Sequence, residues 1–441
     1  MMLQRMLVDL PRGRTPGQLV VQWTSRCNAT CPQCGMRRTS DIPRHKIPRD
    51  TMYRIIDAAA ARNIAALSFT GGEPFLYLEE LTGLIRYAGK AGIPYIRTGT
   101  NGFSLADDGK GAVRERAAGI AATLADTPLR NLWISVDSAE PVVHEAMRGF
   151  SGLVRGIEKA LPVFHDHGIY PSANLGINRN VGGRSTSDLA YEPGTSRSDY
   201  LARFASVYRR AFRRFYRHVL DMGFTMVNMC YPMSVDSGTG LDAVYAATSP
   251  DRVVRFAPEE KAVLFRVLGE TVSEFRSKVR IFTPRASLYA LEREYSGQPA
   301  VSHPCRGGID YLFVDCADHN VYPCGYRGAD NLGPLWDLDM NSLAAAPAVC
   351  KKCDWECFRD PSELMGPALS VFSAPLAQAL RWARDPRLLR LWIGDLAYYR
   401  ACGWFNGRKP PEYKRMAWHR KEPGGGEMPG KDASSIMREL A

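Results

Sequence analysis

LVVQWTSRCNATCPQC, residues Leu19 to Cys34, sets the reading of the whole chain. Its first part, Leu19–Thr24, is a short β-branched and aromatic run, which favours a strand. Its second part carries Cys27, Cys31 and Cys34 in the spacing C-x3-C-x2-C. Three thiolates on one loop can hold three corners of a cubic iron–sulfur cluster, whereas a complete protein cage takes four cysteines. A missing fourth ligand leaves one iron open, by the logic that separates open catalytic sites from closed structural ones. The competing reading is an incomplete zinc site, although zinc sites favour paired C-x2-C units.

Outward from this stretch, further strand candidates follow at Ala65–Thr70, Tyr95–Thr100, Leu132–Val136, Ala173–Ile177 and Thr225–Cys230. Helical periodicity fills the gaps at Asp50–Arg62, Leu78–Ala91, Ala112–Ala125, Leu153–His167 and Tyr200–Met222. Strands alternating with helices predict a parallel sheet with βα crossovers. Six units give an α/β fold, a partial (β/α)6 TIM-like barrel, with functional groups at the C-terminal ends of the strands. The core barrel is expected over 17–235 and a connecting helical segment over 236–300. A small iron–sulfur auxiliary domain should cover 301–362, and a helical basic tail with a disordered end 363–441. Residues 179–198, rich in Gly, Ser, Thr and Arg, read as a long loop.

The 441 residues include 11 cysteines, and nine of them cluster. Clustered cysteines in a reducing compartment mean metal or catalysis more often than disulfides. The N-terminus lacks a signal-peptide pattern and no run of 18 apolar residues occurs. The expected location is therefore cytoplasmic. Net charge is +11, and residues 381–421 hold 11 Lys and Arg against 3 Asp and Glu. The body is nearly neutral and the tail is basic, so attraction to an acidic partner belongs to the tail. An amphipathic basic tail either packs on its own domain or lies peripherally on an anionic membrane. No nucleic acid partner is expected.

Other strand ends carry polar motifs. SFTGGEP, Ser68 to Pro74, has a Gly-Gly pair that lets backbone approach a ligand. TGTNG ends the third strand, and LWISVDSAEPVVHEAMRG, Leu132 to Gly149, spans the end of the fourth. Ser135 and Asp137 are candidates for ribose hydroxyls, with Asp137 equally a helix cap; His144 reads as packing. Asn174 is a candidate cofactor contact on the fifth strand. Cys230 and Cys402 read as small buried hydrophobes.

The cysteine loop, followed one βα unit later by GGEP, resembles the radical S-adenosylmethionine (radical SAM) superfamily, across about residues 17–235. The resemblance implies an enzyme in which Cys27, Cys31 and Cys34 ligate a 4Fe–4S cluster whose open iron takes S-adenosylmethionine (SAM). Reductive cleavage then gives a 5′-deoxyadenosyl radical that abstracts hydrogen from a substrate. Gly71, Gly72 and Glu73 match the motif for the SAM amino group. Gln33 stands where the family usually has an aromatic residue against the adenine. A flavodoxin- or ferredoxin-like electron donor is implied.

CRGGIDYLFVDCADHNVYPCGYRGADNLGPLWD, Cys305 to Asp337, and CKKCDWECFRDP, Cys350 to Pro361, resemble the auxiliary-cluster domains called SPASM or twitch. One auxiliary 4Fe–4S cluster is implied, on Cys305, Cys324, Cys350 and Cys353, with Cys357 or Cys316 as replacements. Four cysteines also suit structural zinc. Three substrate classes stand: a small metabolite or sugar, a lipid, or a peptide. The C-x2-C-x3-C followed by Asp-Pro is similar to a stretch of an adenosyl transferase acting on hopanoid lipids. The alternative to an enzyme is a non-catalytic iron–sulfur or zinc protein serving as electron carrier or assembly partner.

Overall fold

The computed structural model describes residues 9–34, 43–232, 252–345, 347–351 and 353–417. Among these, nine strands form one sheet: β1 (Gly17–Thr24), β2 (Ile64–Gly71), β3 (Tyr95–Thr100), β4 (Leu129–Ser135), β5 (Ser172–Gly176), β6 (Met226–Cys230), β7 (Arg280–Ile281), β8 (Tyr311–Val314) and β9 (Val321–Tyr322). Their order is β7-β6-β5-β4-β3-β2-β1-β8-β9. Every pairing is parallel except β8 with β9. Parallel pairing needs crossovers, and helices Arg49–Ala61, Leu78–Lys90, Val113–Ala125, Leu153–Asp166 and Arg197–Asp221 supply them. This is the expected partial α/β barrel, and β1–β6 place the ends of all six strands on one rim.

Why the strands are so apolar follows from this covering. All of β1 is buried, as in sheets covered on both faces. Leu19, Val21 and Trp23 join the main core with the helices, while Val20 packs with Tyr311 and Phe313 of β8.

The sheet extends past six strands at both ends. β7 adds beside β6, inside the expected connecting segment. β8 pairs in parallel with β1, so Val20 faces Phe313. The cysteine-rich segment is thereby stitched to the barrel. Asp310, just before β8, reinforces the seam: it takes Arg14 Nε at 2.6 Å and Thr15 Oγ1 at 3.0 Å.

Two expectations are corrected. Residues 179–198 are not one open loop, because Arg184–Ser187 is a helical turn and the following helix starts at Arg197, capped by the Ser196 side chain. The helical tail starts at Glu356 rather than at 363, in a helix running Glu356–Ser373 through two prolines. Pro361 has no N–H for the Cys357 carbonyl, and Gln18 Nε2 of β1 donates to that oxygen instead, at 3.2 Å. The expected disordered end after Glu422 lies outside the described residues.

Much of the basic tail packs on its own barrel. Gly407 accepts from Tyr170 N and donates to the Arg130 carbonyl, at 2.7 and 2.8 Å. Arg280 of β7 donates to the Asn406 and Lys409 carbonyls. These contacts cover the rim opposite the functional one. No helix among the described residues is long and apolar enough to cross a membrane.

Candidate functional site

The cysteine loop leaves β1 at Thr24 and is clamped from two sides. On one side lies the end of β2: Gly72 N donates to the Thr24 carbonyl and Glu73 N to the Arg26 carbonyl, at 2.6 and 2.8 Å. A Cβ on Gly71 would stand 2.0 Å from Thr24 O, and one on Gly72 2.0 Å from Arg26 O. Gly71 also has φ +131°. The Cβ side of both glycines is therefore filled by the cysteine loop's own backbone. On the other side, Thr30 N donates to the Arg148 carbonyl at 3.1 Å, and Gly149 leaves room for the Thr30 side chain.

Within this clamp Cys31 is buried, Cys34 half-buried and Cys27 exposed. Ala29 N donates to Cys27 Sγ at 3.5 Å and Asn101 Nδ2 lies 3.8 Å from the same sulfur. Burial pushes the Cys31 thiol up to about 12, opposed by the charge of Arg148. A metal must therefore displace a proton from it on binding.

Glu73 is buried beneath the loop. Its Oε1 accepts from Phe75 N at 3.0 Å and Thr100 Oγ1 at 2.8 Å, and its Oε2 from Asn101 N at 2.6 Å. Burial raises its carboxyl to about 7 against those hydrogen bonds. TGTNG thus holds the GGEP carboxylate, a partnership that neither motif announces alone.

Asp137, two residues past β4, forms the other pole. Arg148 Nε donates to its Oδ2 at 2.6 Å, while its buried Oδ1 has no partner among the described residues. The Asp137 backbone N–H donates to His144 Nδ1 at 3.1 Å, and burial lowers the ring to about 4. His144 is therefore a neutral acceptor that orients the Asp137 turn. Ser135 pairs in register with Asn174 across β4 and β5. Gln33 carries a buried Oε1 without a partner among the described residues.

The second cysteine group divides. Cys305, Cys324, Cys350 and Cys353 line one small pocket with Gly307, Trp355, Phe358 and Arg359. Cys305 and Cys350 pair as a bridge, Cys305 N donating to the Cys350 carbonyl at 2.9 Å. Gly307 N donates to Cys305 Sγ and Tyr326 N to Cys324 Sγ, both at 3.4 Å. Backbone N–H groups two residues on from a sulfur favour the thiolate that a metal needs. Among the described residues no three His, Cys, Asp or Glu side chains converge as for one metal ion.

The two replacement cysteines lie elsewhere. Cys316 follows β8 and is buried beside Ser25 at the base of the first loop. Cys357 turns toward the barrel interior, its thiol on Glu356 Oε1 at 3.3 Å. The helix that starts at Glu356 sets this direction, separating Cys357 from Cys353. Cys230 is not a plain buried hydrophobe either: its thiol donates to Asn174 Oδ1 at 3.4 Å.

Residues 21–184 match the family model described as Radical SAM superfamily. A GTP 3′,8-cyclase of Synechococcus sp. is 31% identical over 142 residues, covering 32% of this chain and 37% of the relative. An AdoMet-dependent heme synthase of Nitratidesulfovibrio vulgaris is 20% identical over 319 residues, covering 72% of this chain and 76% of the relative. The chain thus spans little more than a third of the cyclase. Among solved structures, anSMEcpe with bound AdoMet is 17% identical with a TM-score of 0.48, covering 78% of this chain and 88% of that one.

Over residues 21–184 the chain is similar to the Radical SAM superfamily, a class that uses a 4Fe–4S cluster and SAM. It is similar to GTP 3′,8-cyclases over about a third of its length and to an AdoMet-dependent heme synthase over 72% of it.

Proposed function

We propose that the protein is a radical SAM enzyme, with Cys27, Cys31 and Cys34 as the three protein ligands of a 4Fe–4S cluster and SAM as the ligand of its open iron. The carrying observation is the three-cysteine loop fixed at the C-terminal end of β1 between GGEP and Arg148-Gly149. When bound, the cluster and SAM supply a 5′-deoxyadenosyl radical, which abstracts hydrogen from the substrate. The chain's own work is positioning and exclusion of water.

In this reading Gly71 and Gly72 seat the loop and, with Glu73, held by Thr100 and Asn101, face the SAM amino group. Ser135, Asp137 and Asn174 lie on adjacent strand ends and suit ribose hydroxyls; the unpartnered Asp137 Oδ1 supports this. Gln33 Oε1, also unpartnered, supports an adenine contact. Cys305, Cys324, Cys350 and Cys353 hold one auxiliary 4Fe–4S cluster. A flavodoxin- or ferredoxin-like protein supplies the electrons. The substrate is a small metabolite or sugar, a lipid or a peptide.

A peripheral membrane contact is supported by one surface. Phe372, Leu376 and Leu380 are 55%, 81% and 56% exposed, beside Arg381, Arg384 and Arg387. Apolar side chains flanked by arginines suit an anionic interface.

Anaerobic reconstitution followed by iron, sulfide and zinc counts tests the proposal. Iron and sulfide for two clusters in wild type, falling to one in Cys31→Ala, are expected. Zinc without iron would establish the non-catalytic alternative instead.

A further inference from the structure

The barrel interior holds two thiols outside both proposed cluster sets. Cys230 ends β6, and Cys357 stands in the first turn of Glu356–Ser373, with Glu356 beside it. Cys357 Sγ donates to Glu356 Oε1 at 3.3 Å, and Cys230 Sγ to Asn174 Oδ1 at 3.4 Å. Asn228 Nδ2 donates to the same Asn174 oxygen at 2.8 Å and lies 3.9 Å from Cys230 Sγ. The Glu356 carboxyl also acts on the Cys230 thiol, so one acid serves both sulfurs. Glu356 is only 6% exposed, and its Oε2 has no partner among the described residues. Arg97 of β3, bonded to Ser68, adds its charge near Cys357.

Burying a carboxyl with one oxygen unsatisfied is costly unless something else uses it. Packing alone gives no reason to set two thiols, an acid, two amides and an arginine around one interior. The placement is also ordered. Ser135 pairs with Asn174, and Asn174 receives Cys230. A row therefore runs from the proposed cofactor contacts to the thiols. Burial keeps both sulfurs as S–H rather than thiolate, and raises the Glu356 carboxyl toward its protonated form.

We propose that Cys230 and Cys357, with Glu356 between them, form a hydrogen-atom donor to a carbon radical generated in the barrel. The inference rests on the radical SAM reading above. The radical carbon takes the hydrogen of one S–H bond: a C–H bond forms, the weaker S–H bond breaks, and a thiyl radical remains. One electron from a low-potential one-electron reductant, dithionite in vitro, and one proton from Glu356 restore the thiol; solvent reprotonates Glu356. The substrate class is one whose product radical ends as a C–H bond, so the overall change on it is not a desaturation.

Thiol hydrogens exchange with solvent, whereas the carbon-bound hydrogens of SAM do not on this timescale, and this separates the donor from other sources. The reconstituted full-length protein is incubated with SAM and dithionite in D2O without added substrate, and 5′-deoxyadenosine is analysed by mass spectrometry. The expected wild-type product carries deuterium in its methyl group. In the Cys230→Ser/Cys357→Ser double variant the deuterated fraction of the product formed falls at least tenfold. Serine keeps the size and polar contacts, but its O–H bond is too strong to donate. Cys402→Ser, a buried cysteine outside the barrel interior, should keep the wild-type fraction. Product without deuterium in wild type, or an undiminished fraction in the double variant, overturns the inference. Failure of the iron-loaded protein to form any 5′-deoxyadenosine, with or without added cell extract, overturns the radical SAM reading itself and is recognised by the missing product.

Discussion

Gly72→Ala tests how the cysteine loop is held. The new Cβ would stand 2.0 Å from Arg26 O and 2.5 Å from Arg26 C, where ordinary contact begins at 3.4 Å. The gap must open by about 1.4 Å (3.4 less 2.0), and the atoms in the way are backbone, which cannot swing aside. Overpacking of this kind costs about 1–3 kcal/mol. The displaced segment carries Cys27, and a 1 Å misplacement near the reacting centre costs about 100-fold in rate. Gly83→Ala and Gly119→Ala are the controls: both sites are helical with nothing within 4 Å, so each should be neutral or stabilising by about 0.4–1 kcal/mol. Denaturant unfolding of the metal-free chain and iron content after reconstitution are the assays. Gly72→Ala with wild-type stability and full iron loading would refute the clamp.

Arg148→Met should destabilise by about 3–5 kcal/mol, because it leaves Asp137 buried with neither oxygen paired; denaturant unfolding measures this. Cys350→Ala should lose the auxiliary iron while Cys357→Ala keeps it, by iron count and electron paramagnetic resonance. Glu363 is buried, accepts from His303 N at 3.0 Å, and has its carboxyl raised from 4.5 to about 7 by burial. Its folded pKa lies above its unfolded one, so its contribution is complete below 4.5 and is lost as pH rises through 7. Over that window it changes stability by about 3 kcal/mol. Glu363→Gln should remove that slope from urea unfolding between about pH 5 and pH 8. Leu376→Glu with Leu380→Glu should abolish co-sedimentation with anionic vesicles; unchanged co-sedimentation would remove this surface as the contact.

The six central strands were legible because each is an apolar run between helical periods, and their ends fall within about three residues of expectation. β7 and β8 were not, since two and four residues carry too little period to stand out among cysteines and prolines. Helix Glu356–Ser373 was hidden by Pro361, whose broken hydrogen bond Gln18 repairs from 339 residues away. At the site, residue identities could be read but partners could not. Glu73 stood out as GGEP, yet its bonds to Thr100 and Asn101 cross two strand ends. Gly72 reads as freedom until Arg26 O is seen occupying its space. Cys230 and Cys357 lie 127 residues apart (357 less 230), and no spacing rule links them.

The central claim is SAM cleavage on the first cysteine loop. Its most direct measurement is 5′-deoxyadenosine formation by the anaerobically reconstituted protein with dithionite and SAM, with and without cell extract, beside Cys31→Ala. The account predicts product from wild type and none from the variant. Equal product from both, or none from an iron-loaded wild type under either condition, would contradict it.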